Sequence, residues 1–247
     1  MVSLPSIQEE LKAIHDRLEQ EITFKSAKFA ELIPINFDEL EHNACPAIVL
    51  TVSRACGYSG RQAISMGVVI QFVFMADKVH SLMQEDEEIT EELRQFTVLV
   101  GDYLFGKFFL GLSREKLLHF LAPIAKVIEN MSIGTIYRWL GRESELTPEE
   151  WLEILARERA SLTGLAARIG AELAGMPTYI AEKCESFGSQ LGLAWAAHHE
   201  QMEQKVVARI MYNAEAFLQE LPDTLELKPL NELYTYMKVQ LEVGCGI

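Results

Sequence analysis

The chain has 247 residues, and its 36 acidic against 22 basic side chains leave a formal net charge of −14 at pH 7. A surface that binds nucleic acid needs clustered Lys and Arg to displace phosphate counterions, so this balance argues against nucleic acid as a partner. With 49% hydrophobic and 23% charged residues, the chain can bury a large core and is not of the disordered class.

The two most apolar segments, residues 66–76 and 96–112, are interrupted by Gln71 in the first and by Asp102 and Lys107 in the second. These polar residues predict that neither segment spans a bilayer. Residues 1–20 lack the basic start and apolar run of a signal peptide. The four cysteines include no CxxC pair and fit reduced thiols. We therefore expect a cytoplasmic protein.

Apolar residues recur at three- and four-residue spacing along nearly the whole sequence, without the alternating pattern of strands. The fold class expected is all-α. Helices are predicted at residues 6–21, 24–33, 45–56, 60–84, 89–111, 114–140, 148–175, 177–219 and 228–241.

Several helix boundaries have a local chemical cause. Thr147 offers an N-cap hydroxyl, Pro148 suits the first helical position, and Glu150 completes a capping box. Gly175 and Pro177 end that helix and begin the next. The connections are short and no linker or repeat is present, so residues 1–247 are predicted to form one large helical bundle. The two most apolar helices are expected at its centre.

Several segments, taken in order, resemble the trans-isoprenyl diphosphate synthase (polyprenyl synthetase) family. Residues 45–50 (CPAIVL) and 55–58 (ACGY) resemble a helix and turn that read RP-A-LVL and A-GY in the family. Residues 96–105 (FTVLVGDYLF) are similar to the family's AVLLGDFLL segment, and this is the most specific single match. Shorter similarities are residues 132–134 (SIG), 160–162 (ASL) and 187–194 (FGSQLGLA). The resemblance implies an isoprenoid-synthase type of bundle and the condensation of allylic diphosphates with isopentenyl diphosphate.

The family holds Mg²⁺ through two DDxxD motifs on facing helices, because carboxylates at i and i+4 share one helix face. The first motif corresponds to residues 81–85 and the second to residues 199–203, and both are degenerate in this sequence. The resemblance implies vestigial motif positions at Ser81, Leu82, Glu85, His199, Glu200 and Glu203.

The basic residues that bind diphosphate in the family are also replaced. The family's GGKRxRP segment corresponds to residues 40–46, where Pro46 remains and the basic side chains do not. The family's Lys-Thr pair corresponds to Glu158 and Arg159, and its Phe-Gln pair to Trp195 and Ala196. Binding of a diphosphate in the family's manner is therefore expected to fail.

By resemblance, Ala76 and Asp77 occupy the positions that line the prenyl tunnel and limit product length. Asp77 shares a helix face with Ser81. A carboxylate beside a hydrocarbon tail is costly unless it is paired, so the tunnel is predicted to be blocked, filled or polar.

Four residues remain candidate metal ligands: Glu85, His199, Glu200 and Glu203. In a continuous helix His199 and Glu203 would lie one turn apart, and His80 or Glu85 could supply a third zinc ligand. The alternative is a solvated or internally paired polar stripe. No cofactor is expected of a silent chain, and Mg²⁺ is expected if the chain is active.

These departures favour a catalytically silent homologue that acts as the non-catalytic, regulatory or small subunit of a heteromeric polyprenyl diphosphate synthase. Its partner would be the catalytic subunit, and a homodimer is the competing assembly. By resemblance, the dimer face includes residues 96–112. Two alternatives remain: a divergent active prenyltransferase using Glu85, Glu200 and Glu203 for Mg²⁺, and a module that binds an isoprenoid or other apolar ligand in the former cavity.

Overall fold

The computed structural model describes residues 4–22, 37–85, 91–142 and 146–243, without the side chains of residues 82–85 and 91–93. The helix predicted at residues 24–33 lies outside the described residues. Throughout the described ranges the regular elements are helical, which confirms the all-α class. The α-helices are α1 (Gln8–Ile22), α2 (Glu39–Ala55), α3 (Arg61–Glu85), α4 (Glu91–Arg114), α5 (Leu121–Gly141), α6 (Pro148–Leu155), α7 (Ser161–Leu173), α8 (Thr178–His199), α9 (Gln204–Gln219) and α10 (Leu227–Gln240).

Two of the helix starts are capping boxes. At α6, Thr147 Oγ1 accepts from the Glu150 amide at 3.2 Å while a Glu150 carboxylate oxygen accepts from the Thr147 amide at 2.8 Å, as predicted. At α2, the same reciprocal bonds join Asp38 and Glu41. The predicted start of α2 at residue 45 is wrong, because this capping box begins the helix at Glu39 and leaves Pro46 inside it.

The predicted helix 177–219 is also wrong, because it divides into α8 and α9. Glu200 is the C-cap of α8, and Gln201 follows in the left-handed region with φ of 54°. The Gln201 amide donates to His198 O at 2.9 Å, and the Met202 amide donates to Ala197 O at 3.0 Å. These are the two bonds of a Schellman motif, which usually has glycine at the left-handed position. Since glutamine takes that place here, the sequence lacked the usual signal.

The predicted helix 148–175 is interrupted in its middle and ends as expected. A π-helical turn at Ala156–Ala160 separates α6 from α7. After α7, Gly175 has φ of +71° and closes a Schellman motif with the Glu172 and Ala171 carbonyls. Single π-turns inside helices are frequent at functional sites.

The core is built from α2, α3, α7 and α8: α3 packs against α2, α2 against α7, and α7 against α8. Phe72 and Phe74 of α3 and Phe187 of α8 are almost completely buried, which confirms the central position predicted for α3. Helices α7 and α8 approach closely because glycine leaves room for the neighbouring backbone. A Cβ atom at Gly188 would lie 2.6 Å from Thr163 O.

Helix α4 is only partly central, which corrects the prediction for residues 96–112. Its Leu104 and Phe108 are buried, whereas Leu99 and Phe109 are 65% and 50% exposed. By length and composition alone, residues 61–81 and 94–114 could each cross a membrane. Contrary to the prediction, the polar residues in these segments therefore do not by themselves exclude a membrane span. The apolar stretch of the first segment is 78% buried, as is usual for a helix in the core of a protein, and that of the second segment is 39% buried.

We expect Gly188→Ala to destabilise the fold, because the new Cβ would meet a backbone oxygen that cannot rotate away. The expected loss is about 1–3 kcal/mol in the free energy of unfolding, measured by urea denaturation. Gly106→Ala in α4 is the matched control, since no atom lies within 4 Å of its Cβ position. That variant should gain about 0.5–1 kcal/mol from helix propensity. Equal effects of the two variants would contradict the close α7–α8 approach.

Candidate functional site

The first vestigial motif forms the end of α3, where Asp77 and Ser81 line the same cavity, as their shared helix face predicted. The Ser81 hydroxyl donates to Lys78 O at 2.8 Å. The side chains of Leu82 and Glu85 lie outside the described part of the chain. Ser81 therefore offers an oxygen to the cavity but no negative charge.

The second vestigial motif lies where α8 ends, so its members do not share a helix face. His199 lines a surface cleft of about 280 Å³ together with Asp38 and Glu39. Glu200 forms an ion pair with Arg138, Oε1 to Nη1, at 2.9 Å. Glu203 is exposed and pairs with Lys205 at 2.5 Å. The one-turn spacing expected of His199 and Glu203 is wrong, because α8 ends at His199 and the chain turns before Glu203.

These contacts do not fit Mg²⁺ in the family's manner. Glu200 is already neutralised by an arginine, and Glu203 faces solvent beside a lysine. Among the side chains that the structure describes, no group of three or more His, Cys, Asp or Glu could hold a metal ion. A site completed by Glu85 stays a prediction.

Arg138 of α5 is the centre of an internal ion network. Its Nη2 lies 2.6 Å from Glu158 Oε2, its Nε bonds both Glu158 oxygens, and its Nη1 reaches Glu200. The guanidinium also stacks over the Trp151 ring, 4.7 Å from the centroid. Burial alone would lower the pKa of Arg138, but the bonds and charges of Glu158 and Glu200 raise it above its ordinary value. One cation thus joins α5, the π-helical turn and the end of α8.

Gly134 makes this network possible by allowing α5 to approach the π-helical turn. A Cβ atom at Gly134 would lie 2.7 Å from Glu158 Cγ and 3.0 Å from Arg157 Cβ. Gly134 belongs to one of the short segments that resemble the family. Its contact with Glu158 depends on the tertiary fold.

Arg159 lies between two aromatic rings, an arrangement that the sequence analysis missed. Its guanidinium carbon is 4.4 Å from the Phe74 centroid and 4.5 Å from the Trp195 centroid. Both distances are within the range of cation–π attraction. Arg159 and Trp195 both replace family residues, and this pair of replacements was the sequence signal that could have indicated their contact. Among the described residues no carboxylate lies within ion-pair distance of Arg159, and its Nη1 is buried without a hydrogen-bond partner.

The other positions where the family has cations are also engaged within the protein. The His42 ring packs edge-on against Phe37, 5.3 Å between centroids. Cys45 is fully buried, and desolvation raises the pKa of its thiol to about 12. Lys78 of α3, which is not at one of those positions, also forms an ion pair, with the buried Glu41 at 3.1 Å from Nζ to Oε1. Each group therefore points to a partner or into the core.

Asp77 is the exception, because no hydrogen bond or ion pair is found for it among the described residues. Desolvation raises the pKa of its carboxyl to about 6, against the opposing charge of Arg159. Glu158 raises this pKa further, while Lys78 and Arg138 lower it. The cavity that Asp77 lines has a volume of about 300 Å³ and a mostly apolar lining with several polar groups, so this region is not filled.

Comparison with known proteins confirms the resemblance. The chain is 20% identical over 230 residues to the geranylgeranyl diphosphate synthase of Methanosarcina mazei, covering 81% of this chain and 70% of that protein. Several other curated relatives are isoprenyl diphosphate synthases of which the chain spans about half the length. No family model matches the chain.

Solved structures show the fold. The polyprenyl synthase from Caulobacter crescentus, complexed with calcium and isoprenyl diphosphate, has a TM-score of 0.79 at 14% identity, covering 95% of each chain. A mint deletion mutant of a heterotetrameric geranyl pyrophosphate synthase, in complex with ligands, has a TM-score of 0.75 at 15% identity, covering 95% of this chain and 100% of that one. The chain therefore has the all-α fold of the isoprenyl diphosphate synthases.

Removing the central cation of the network should destabilise the fold. We expect Arg138→Met to cost about 2 kcal/mol of unfolding free energy, because Glu158 and Glu200 would lose their counter-charge. This value lies between those typical of surface and of buried ion pairs. Arg168→Met is the matched control, since Arg168 also bridges two glutamates but on a more exposed surface. It should cost less than about 1 kcal/mol. Equal losses in urea denaturation would contradict a special role of Arg138.

Asp77 should make stability depend on pH. Its pKa is raised on folding, so the folded chain binds this proton more tightly and loses stability as pH rises from about 4 through about 6. Relative to Asp77→Asn, the wild type should lose about 2–3 kcal/mol across that window and stay level above it. Asp102→Asn, which removes an exposed carboxylate of α4, should show no such difference. A constant difference between wild type and Asp77→Asn from pH 4 to 7 would contradict this result.

Proposed function

We propose that the chain is a non-catalytic homologue of the isoprenyl diphosphate synthases, a single helical domain over residues 1–247. The observation that supports this most directly is the pairing of Arg138 with Glu158 and Glu200. In this proposal, Glu200 of the second motif and Glu158, which stands where the family has a lysine, are neutralised by Arg138 and are not available for Mg²⁺. No resident cofactor is needed by a chain whose site is occupied by its own side chains.

The energetic argument concerns desolvated charge. A diphosphate entering this site would have to displace Glu158 and Glu200 from Arg138, and it would meet the unpaired carboxyl of Asp77. Like charges at short range in a partly buried site cost several kcal/mol at an effective dielectric of about 20. A divergent prenyltransferase that places Mg²⁺ on Glu85, Glu200 and Glu203 would first have to break the Arg138–Glu200 pair.

The proposed partner is a catalytic polyprenyl diphosphate synthase subunit, and a homodimer is the competing assembly. Helices α4 and α5 expose large apolar side chains: Leu99, Phe109, Leu110, Ile136, Tyr137, Trp139 and Leu140. Exposed apolar surfaces of this kind are typical of protein interfaces. That a mint relative is heterotetrameric supports a heteromeric assembly here. A cytoplasmic location and the absence of nucleic acid as a partner belong to the same proposal.

An activity assay separates the candidate functions. Incorporation of labelled isopentenyl diphosphate should be absent when the purified chain is incubated with an allylic diphosphate and Mg²⁺. Mixing with a synthase that carries both DDxxD motifs, from the same source, should change that synthase's rate or product length. Turnover by the chain alone, lost in a Glu200→Ala, Glu203→Ala double variant, would instead establish the divergent enzyme.

The interface can be tested by placing a charge on the exposed face of α4. We expect Leu99→Asp to weaken the association with the synthase about tenfold or more, because a carboxylate would be desolvated in the contact. Sedimentation velocity of mixtures at several concentrations would measure the change. Tyr212→Asp is the control, since Tyr212 is 70% exposed on α9, away from this face. Equal weakening by both variants, or a monomer that associates with nothing, would contradict the proposed interface.

A further inference from the structure

A second feature of the chain is the cavity of about 300 Å³ between α3, α4 and α5, near the lower size limit of small-molecule sites. Its polar lining residues are Asp77, His80, Ser81, Ser132 and Thr135. Its apolar lining residues include Val73, Phe105, Ile128, Met131 and Ile136. The cavity is thus mostly apolar with polar groups from α3 and α5.

The three hydroxyl groups in this cavity can only accept further hydrogen bonds. Ser81 Oγ donates to Lys78 O at 2.8 Å, Ser132 Oγ to Ile128 O at 3.0 Å, and Thr135 Oγ1 to Met131 O at 3.1 Å. A hydroxyl has a single hydrogen, and here each hydrogen is used within its own helix. What remains for a ligand is the oxygen lone pairs.

Asp77 adds an anionic acceptor to this lining. The cations nearest to it are committed elsewhere: Lys78 to Glu41, Arg138 to Glu158 and Glu200, and Arg159 to the rings of Phe74 and Trp195. Glu158 contributes further negative charge to its surroundings. No lysine or arginine is among the cavity's described lining residues.

His80 completes the polar lining. Its Nε2 is buried without a hydrogen-bond partner, and a Cβ atom at Gly101 of α4 would lie 1.8 Å from it. The ring also contacts Phe105, with centroids 5.7 Å apart. The glycine in α4 therefore leaves room for an imidazole at the wall of the cavity.

We propose that this cavity binds a small amphiphilic cation, a primary ammonium group carrying a compact apolar body. The three N–H groups of an ammonium match a lining of Asp77 carboxylate and hydroxyl oxygens, all of which accept. The apolar body packs against the side chains of Phe105 and Met131. An anionic head group, such as a carboxylate or a diphosphate, finds no donor among the hydroxyls. This proposal goes beyond the proposed subunit function and does not depend on it.

Three probes of equal chain length test the head group: n-octylammonium, 1-octanol and octanoate. Isothermal titration calorimetry at pH 7.5 with the full chain should give saturable 1:1 binding of octylammonium. Octanol should bind about tenfold more weakly or worse, because it cannot form a charge-assisted bond to Asp77. Octanoate should bind more weakly still.

Variants test the assigned residues. Asp77→Asn should reduce octylammonium affinity about tenfold, to the level of octanol, and should leave octanol affinity unchanged. Thr135→Val, which keeps the shape and removes one acceptor, should weaken octylammonium binding by a smaller factor. Asp102→Asn is the control for net charge, since it removes one carboxylate outside the cavity and should change nothing. The stability measurements between pH 4 and 7 proposed above would show independently that Asp77→Asn is folded.

Several results would overturn the proposal. One is octanol binding as tightly as octylammonium, which would leave an apolar site without head-group selection. Another is octylammonium binding at many sites and unchanged by Asp77→Asn, which would mean adsorption to an acidic surface. Catalytic activity plays no part in these readouts, so failure here would leave the subunit proposal untouched, and failure of the subunit proposal would leave this cavity untouched.

Discussion

A charge inside a helical bundle needs a counter-charge, and this requirement organises the interior of the protein. Glu41 is buried and Arg138, Glu158 and Lys78 are partly buried among the helices, and each has an ion-pair partner within the chain. Arg159 is stabilised by two aromatic rings instead. Because these contacts join α2 to α3 and α5 to the ends of α6 and α8, neutralising the charge also fixes the helices around the former site.

The same requirement relates the fold to function. A synthase of this fold must keep its carboxylates free for metal and its cations free for diphosphate, at some cost in stability. In this chain Glu158 and Glu200 are paired with Arg138 instead, and α4 and α5 expose several large apolar side chains. The non-catalytic subunit function proposed above rests on this pairing.

Asp77 is informative because it lacks such a partner. An unpaired carboxyl at the wall of an apolar cavity lowers stability when it ionises, and a chain under no functional demand would gain by replacing it. It shares the lining of this cavity with three hydroxyl groups that can accept hydrogen bonds and with the imidazole of His80. The interior thus holds one neutralised region and one region that still offers unpaired polar groups.

Local chemistry made much of the fold predictable. The all-α class followed from the spacing of apolar residues, and the starts and ends marked by Thr147 and Gly175 followed from capping chemistry. The Asp38–Glu41 capping box is equally local, and it places the start of α2 before the predicted residue 45. The break after His199 was not predictable in this way, because glutamine at position 201 occupies a conformation that the sequence normally marks with glycine. Because the helix ends there, His199 and Glu203 do not share the helix face on which their expected spacing as metal ligands relied.

By itself the sequence determined the helical class and the resemblance to the isoprenyl diphosphate synthases, because periodicity, caps and motif residues are local along the chain. Only the tertiary structure decided which of the remaining charges meet. Arg138, Glu158 and Glu200 are far apart in sequence, and so are Phe74, Arg159 and Trp195. An ion pair or a cation–π contact depends on a few ångströms between side chains, and that distance is set by how the helices pack rather than by the residues themselves.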